Sequence, residues 1–323
     1  MPDHQTKLGI FLPTRGILLG ESPPRDANLV LKLAQNVERA GLDSVWVGDS
    51  LTAKPRLEPL STLAAIAAVT QRVRLGTAVL LLALRHPLLL AQTMATVDLI
   101  SQGRLIIAAG VGGAFNDEQK QEWENTGVKA SQRGRRLEEM LQIIKGLASG
   151  EPLTFQGRHF DLDSVVMKPQ PVQLKGVPIL LACHWRAPAR DRQVQRAARW
   201  ADGLISVSDT PDEYGQVVQQ VRATAGELGR DPNDLEAVMY LTVNLDQDRA
   251  RASQEAEQWL MGYYGANIWG TRWGPFGDAA RVKDRLAEYA DAGAQTLVVR
   301  FASFHPERQL DIFLDKVAPA FQC

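Results

Sequence analysis

Several short stretches of this sequence combine residue types that could do chemistry. Gly110-Val111-Gly112-Gly113 sets three glycines within four positions. Without a Cβ, such a backbone can approach a flat ligand closely, or form a tight turn with no ligand at all. Cys183-His184-Trp185-Arg186 offers a thiol, an imidazole and a guanidinium in succession. The histidine and arginine could hold an anionic group. The thiol could act as a nucleophile only beside a positioned base that lowers its pKa; a buried cysteine is otherwise inert. Asp49 and Ser50 supply a carboxylate and a hydroxyl, and with His184 they are the candidates for acid–base work. Gly277-Asp278 reads as the start of a helix with Asp278 as its N-cap. A helix N-terminus is also a natural phosphate site, although a capping carboxylate would compete for it.

Spacing and composition remove other chemistries. The histidines, at positions 4, 86, 159, 184 and 305, never fall in HxxxH spacing, so no metal centre is expected. There is no GxSxG elbow. The cysteines, Cys183 and Cys323, form neither a CxxC pair nor a disulfide framework. What remains points to an organic cofactor. The 36 basic and 37 acidic residues leave a net charge of −1, which gives no long-range pull toward nucleic acid or an anionic membrane. The longest apolar stretch, 78–84, is far too short to span a bilayer, and MPDHQTKLGIFLPTRG lacks a signal peptide's apolar segment. The expected compartment is a reducing cytoplasm.

These stretches need a scaffold, and alternation supplies one. Apolar runs at 8–12, 44–47, 74–80, 105–109, 178–181, 203–207, 237–245 and 296–301 alternate with helix candidates at 28–40, 60–70, 88–100, 135–147, 191–200 and 214–228. That order implies parallel βαβ units. Gly41, Gly103, Gly203 and Gly293 each read as the cap that ends a helix and leads into a strand. Two gaps are longer. Residues 109–178 hold one long helix and a hairpin across Gln156-Gly157; residues 245–296 hold helices at 249–263 and 278–292 around YYGANIWGTRWGPFG. The expected fold is therefore a (β/α)8 TIM barrel, one domain over 1–323, with insertions after strands four and seven. An open doubly wound sheet should show G-x-G-x-x-G after its first strand, where this chain has Pro13-Thr14-Arg15-Gly16. In a barrel, chemistry gathers at the C-terminal strand ends, which here carry Thr14 and Arg15, Asp49 and Ser50, 77–81, 110–113, 182–186, Ser206 and Ser208, Asn244, and Arg300 with Ser303.

An ordered series of segments adds a resemblance. RVRLGTAVLLLALRHPLLLAQTMATVDLISQGRLIIAAGVGG is followed by GVKASQRGRRLEEMLQIIKGLASGEPLTFQGRHF, MKPQPVQ, VPILLACHW, RAARWADGLI and FGDAARVKDRLAEYADAGAQTLVVR. Together they resemble the bacterial luciferase-like monooxygenases and their deazaflavin-dependent relatives. The resemblance implies a (β/α)8 barrel with a flavin at its C-terminal mouth and a non-proline cis peptide at the strand-three bulge, here Ala78–Val79. Cofactor contacts are then expected from Thr77, Ala78, Val79, Gly110 and Gly112. The phosphate is expected at Ala182, Cys183, His184 and Arg186, through backbone N–H groups and side chains, with Gly277 and Asp278 nearby. Three departures stand out. Deazaflavin-dependent relatives have Asp-His where this chain has Asp49-Ser50, and some have a glutamate at the position of Gly113. The usual glycine pair is Ala182-Cys183 here. The activity implied is a flavin-dependent oxidoreductase, a monooxygenase using reduced FMN and O2 on a small organic substrate, with the flavin reduced by a separate flavin reductase. Two alternatives stay open: hydride transfer with coenzyme F-420 on the same fold, and a flavin-binding protein without turnover. Trp185, Tyr263, Tyr264, Trp269, Trp273 and Phe276 could line or cover the substrate pocket, or pack an insertion against the rim. A homodimer stays open too.

Overall fold

Strands buried on both faces read as continuous apolar runs, and that is how this chain builds its barrel. The computed structural model describes residues 6–19, 26–268 and 270–322; Trp269 and Cys323 lie outside them. β1 (Lys7–Phe11), β2 (Ser44–Val47), β3 (Arg74–Leu80), β4 (Leu105–Ala109), β5 (Ile179–Ala182), β6 (Gly203–Val207), β7 (Glu236–Leu245) and β8 (Thr296–Phe301) pair in parallel, each with the next. β8 returns to β1 and closes the ring. The result is the expected eight-stranded parallel barrel. A short strand, Phe276–Gly277, pairs with the end of β7 outside that ring.

The helices α1 (Asn28–Arg39), α2 (Pro59–Val69), α3 (Pro87–Ser101), α4 (Asp117–Asn125), α5 (Arg133–Leu147), α6 (Arg190–Trp200), α7 (Pro211–Glu227), α8 (Arg249–Tyr264), α9 (Ala279–Asp291) and α10 (Pro306–Lys316) follow the strands. Their apolar stripes and the outward strand residues make the main core. A second core fills the barrel interior with Phe11, Trp46, Ala78, Ile106, Leu180 and Tyr240, among others. Among the described residues no helix is long and apolar enough to cross a membrane.

The structure corrects the sequence reading in places. The segment between β4 and β5 holds two helices, not one. α4, DEQKQEWEN, buries only Glu122 and Trp123, so it shows no apolar period. α10 was likewise not anticipated. The hairpin is present, Leu153–Gln156 against Asp161–Val165, with residues 157–160 as its turn. Gly41, Gly103 and Gly293 take the positive φ of caps, at 74°, 82° and 101°. Gly203 does not cap a helix. It opens β6, where a Cβ would come 2.2 Å from the Glu236 carbonyl oxygen, so its role is to let β6 and β7 meet.

Candidate functional site

The C-terminal ends of β3, β4, β5 and β6 surround a cavity of about 570 Å³. That is ample for a cofactor-sized ligand. Val79 enters it from β3, at a register shift in the β3–β4 pairing where the Ala78–Val79 peptide is cis. Thr77 and Ala78 do not reach it. The Thr77 hydroxyl donates to the Ala108 carbonyl at 2.9 Å, and Ala78 packs inside the barrel. Gly110, Val111, Gly112 and Gly113 line the cavity after β4. A Cβ on Gly110 would lie 2.9 Å from Val79 Cγ2, and one on Gly112 would lie 2.8 Å from the Trp123 ring. At Gly110 a side chain would press on Val79 and Ala182, which line the cavity, whereas at Gly112 it would meet the packed Trp123 and Leu81.

After β5, His184 and Ala182 also line the cavity. His184 Nδ1 lies 3.3 Å from Ser206 Oγ, which donates to Asp209 Oδ2 at 2.6 Å. Burial holds the imidazole pKa below its usual value against the pull of Asp209, so the ring is neutral. Cys183 is buried with Sγ 3.6 Å from the Gln193 carbonyl. Burial pushes its thiol up to about 12, which leaves no thiolate at neutral pH and no nucleophile. The expected backbone phosphate cradle is already engaged. The N–H groups of Cys183, His184 and Trp185 donate to the Ile205 carbonyl, Gln193 Oε1 and Asp209 Oδ2.

Positive charge comes instead from side chains. Arg133, Arg186, Arg196 and Arg272 all line the cavity. Arg186 Nε donates to Glu213 Oε1 at 2.6 Å, and Arg272 donates to the same carboxylate. Burial would raise the Glu213 pKa, but Arg272, the Thr210 N–H and Arg186 outweigh it and hold it at about 2. Arg196 pairs with Glu138 at 2.8 Å. Arg133 differs. It donates to the carbonyls of Gly112 and Ala130, and among the described residues it makes no ion pair. Arg133, Arg196 and Arg272 are not among the residues expected from the sequence. The only signal for Arg133 lay in the SQRGRR run that opens α5.

Other candidates sit elsewhere. Asp49 accepts from both Arg85 Nη atoms at 2.5 and 3.0 Å and from the Leu81 N–H at 2.9 Å. The Ser50 hydroxyl donates to Glu122 at 2.7 Å, and the N–H groups of Leu51, Thr52 and Ala53 converge on the same oxygen. Both residues tie the loop after β2 in place, and neither lines the cavity. Asp278 caps α9 through the Arg281 N–H at 2.9 Å and borders a separate depression with Asp246, Arg251 and Arg308. Gly277 pairs there with Leu245. The structure therefore does not bring Gly277 and Asp278 together with His184 and Gly110. Of the aromatics, Trp185 lies beneath Arg190, 4.4 Å from its Cζ. Tyr263, Tyr264 and Trp273 pack over the barrel mouth around Arg300, with Phe276 against their edge.

Residues 6–298 match the family described as luciferase-like monooxygenase. The chain belongs to that family. It is 32% identical over 243 residues to F420-dependent glucose-6-phosphate dehydrogenase of Nakamurella multipartita, an alignment covering 70% of this chain and 66% of that one. The solved monooxygenase RslO1 from Streptomyces bottropensis superposes with a TM-score of 0.81 at 24% identity, over 98% of this chain and 100% of that one. An F420-dependent secondary alcohol dehydrogenase in complex with an F420-acetone adduct gives 0.79 at 22%, over 99% and 100%. As a luciferase-like protein the chain is an oxidoreductase, which sets aside a flavin-binding protein without turnover. Such enzymes act on small molecules with a flavin or deazaflavin.

Proposed function

We propose that this luciferase-like enzyme binds coenzyme F-420 in the cavity at the ends of β3–β6 and catalyses hydride transfer to or from a small organic substrate. The observation that carries this reading is Arg133, a guanidinium on the cavity wall with no carboxylate partner among the described residues. Coenzyme F-420 bears a phosphodiester and glutamyl carboxylates beyond its ring system, and so presents more anionic oxygen than FMN. Together the four cavity arginines face three carboxylates, those of Glu138, Asp209 and Glu213. When bound, the deazaflavin supplies a two-electron hydride carrier. Gly110 leaves room for a flat ring against the backbone, and Val79 packs on it. His184, neutral and fixed through Ser206 to Asp209, contacts the anionic part without adding charge. The relative of known name at 32% identity supports the deazaflavin.

A second reading, reduced FMN and O2 with a separate flavin reductase, is favoured by Ser50 and Gly113. They stand where the deazaflavin-dependent resemblance implies a histidine and a glutamate. Titration of the purified protein with each coenzyme, read by fluorescence, separates them. The proposal expects F-420 to bind at least tenfold tighter than FMN; FMN binding tighter than F-420 overturns it. We further propose a single-domain cytoplasmic enzyme, which two cysteines in 323 residues support.

A further inference from the structure

The strand that closes the barrel, β8, turns alternate residues inward, and Arg300 follows Val298 on that inner face. Arg300 is only 3% exposed. Its Nε and Nη2 donate to Thr242 Oγ1 at 3.0 and 2.7 Å, and Nη1 donates to the Tyr264 hydroxyl at 2.6 Å. These acceptors are neutral hydroxyls. The rings of Phe11, Tyr240, Trp259, Tyr263, Tyr264 and Trp273 surround the guanidinium, 5.0 to 6.0 Å from Cζ. Ring quadrupoles compensate a buried cation in part. A counter-ion would do so more fully, yet among the described residues Arg300 makes no ion pair. Arg15 and Arg56 add to the surplus: they lie 5.2 and 5.7 Å from the Tyr263 ring and make no ion pair among the described residues. A buried charge left without a partner is expensive to keep.

A second observation is independent of the first. Tyr240 is 7% exposed, and its hydroxyl has no hydrogen-bond partner among the described residues. Its ring lies 5.2 Å from Arg300 Cζ. An unpaired buried hydroxyl beside an uncompensated guanidinium calls for an acceptor that carries negative charge. Aromatic faces enclose the pair: Phe11 and Tyr240 stack at 5.0 Å and 19°, and Tyr264 and Trp273 at 5.5 Å and 24°.

We infer that Arg300 and Tyr240 form a binding site for a carboxylate group of the substrate at the barrel axis. A carboxylate pairs with a guanidinium fork through two parallel charge-assisted bonds and accepts from a hydroxyl at the same time. The Tyr264 hydroxyl holds the place on Nη1, and an entering carboxylate exchanges for it while the Tyr240 hydroxyl donates to the other oxygen. The site lies close to the cofactor cavity. Ala78 shares the barrel-interior cluster with Tyr240, and the next residue, Val79, lines the cavity. That the carboxylate belongs to a redox substrate rests on the function proposed above; that the site takes a carboxylate does not.

The test is a titration of the cofactor-free full chain with benzoate and with its neutral analogue benzamide, followed by tryptophan fluorescence, since Trp259 and Trp273 lie 5.3 and 5.1 Å from Arg300. Benzoate is expected to bind at least tenfold tighter than benzamide. Arg300→Gln should abolish the difference, and Tyr240→Phe should weaken benzoate threefold or more while leaving benzamide unchanged. Tyr240→Phe removes only an unpaired hydroxyl, so it decides the matter if Arg300→Gln does not fold. Equal binding of the two probes by the parent chain overturns the inference, as does a benzoate preference that Tyr240→Phe leaves intact. Loss of the benzoate preference in Arg300→Gln with F-420 affinity unchanged supports the site by itself. Arg300-dependent benzoate binding in a chain that does not bind F-420 would overturn only the cofactor reading.

Discussion

Arg133 and Arg186 make a controlled comparison within one cavity. Both are arginines on its wall, but Arg186 is 70% exposed in its side chain and already paired with Glu213, whereas Arg133 has only carbonyl partners. A charge-assisted bond to an anionic ligand is worth roughly 1.5–3 kcal/mol, or about one to two decades in affinity. Arg133→Met should therefore weaken F-420 by tenfold or more, while Arg186→Met, which breaks an exposed pair worth at most about 1 kcal/mol, changes it far less. The deazariboflavin chromophore, which lacks the phosphate and glutamyl groups, should not distinguish Arg133→Met from the parent chain. Equal losses for coenzyme and chromophore would show that Arg133 does not read the anionic tail. Gly110→Ala tests the ring side. Its Cβ, 2.9 Å from Val79 Cγ2, must displace Val79 into the cavity. Isothermal titration should show F-420 binding weakened, and the overpacking should cost about 1–3 kcal/mol of stability in urea. An unchanged affinity would place the ring elsewhere. At this scale the sequence located Val79, Gly110 and His184, because the ends of barrel strands converge wherever the helices go. It could not show that Asp49 and Ser50 would be engaged by Arg85 and Glu122, since both partners come from segments remote in sequence.

At the scale of the element, α7 shows how one helix start serves both fold and site. The Thr210 hydroxyl accepts from the Glu213 N–H, and the Glu213 carboxylate accepts from the Thr210 N–H at 2.9 Å, a reciprocal cap. The same carboxylate holds Arg186 and Arg272 at the cavity rim. Its pKa is depressed in the folded chain to about 2, so the stabilisation is present in full above the ordinary carboxylate range and is lost as pH falls toward 2. Urea midpoints measured from about pH 6 downward should fall along this limb, and Glu213→Gln should be less stable than the parent near neutrality with a shallower acid limb. Parallel acid limbs in the two proteins would mean that other carboxylates govern acid unfolding. Most elements were legible because strands buried on both faces are continuous apolar runs. α4 was not, because it buries a carboxylate and one tryptophan instead of an apolar stripe. Gly203 was misread because a glycine before a strand looks the same whether it caps a helix or admits a neighbouring backbone.

For the whole molecule, the constraint is that eight strands enclose a fixed volume that side chains must fill. This barrel fills one side of its interior with a single large ring. Trp46 is fully buried, and its Nε1–H donates to Ser44 Oγ at 2.8 Å. The strands on either side make room for it with glycines. A Cβ on Gly76 would lie 2.2 to 2.6 Å from the Trp46 ring, and one on Gly9 would lie 2.4 Å from Ser44 Oγ and 2.7 Å from Trp46 Nε1. Gly9, Trp46 and Gly76 thus form one packing unit across β1, β2 and β3, in which the large residue needs its small neighbours. Gly76→Ala should destabilise by about 1–3 kcal/mol through overpacking against the buried Trp46 ring. Trp46→Ala should cost about 3–5 kcal/mol through the cavity it leaves. In the double variant the new methyl occupies part of the space the indole vacated, so the two losses should not add. Urea unfolding of the four proteins in a double-mutant cycle should return a coupling of about 0.5–3 kcal/mol in the stabilising direction. Losses that add to within about 0.5 kcal/mol would mean that the ring and the glycine pack independently, and that the barrel relaxes around each change without the other.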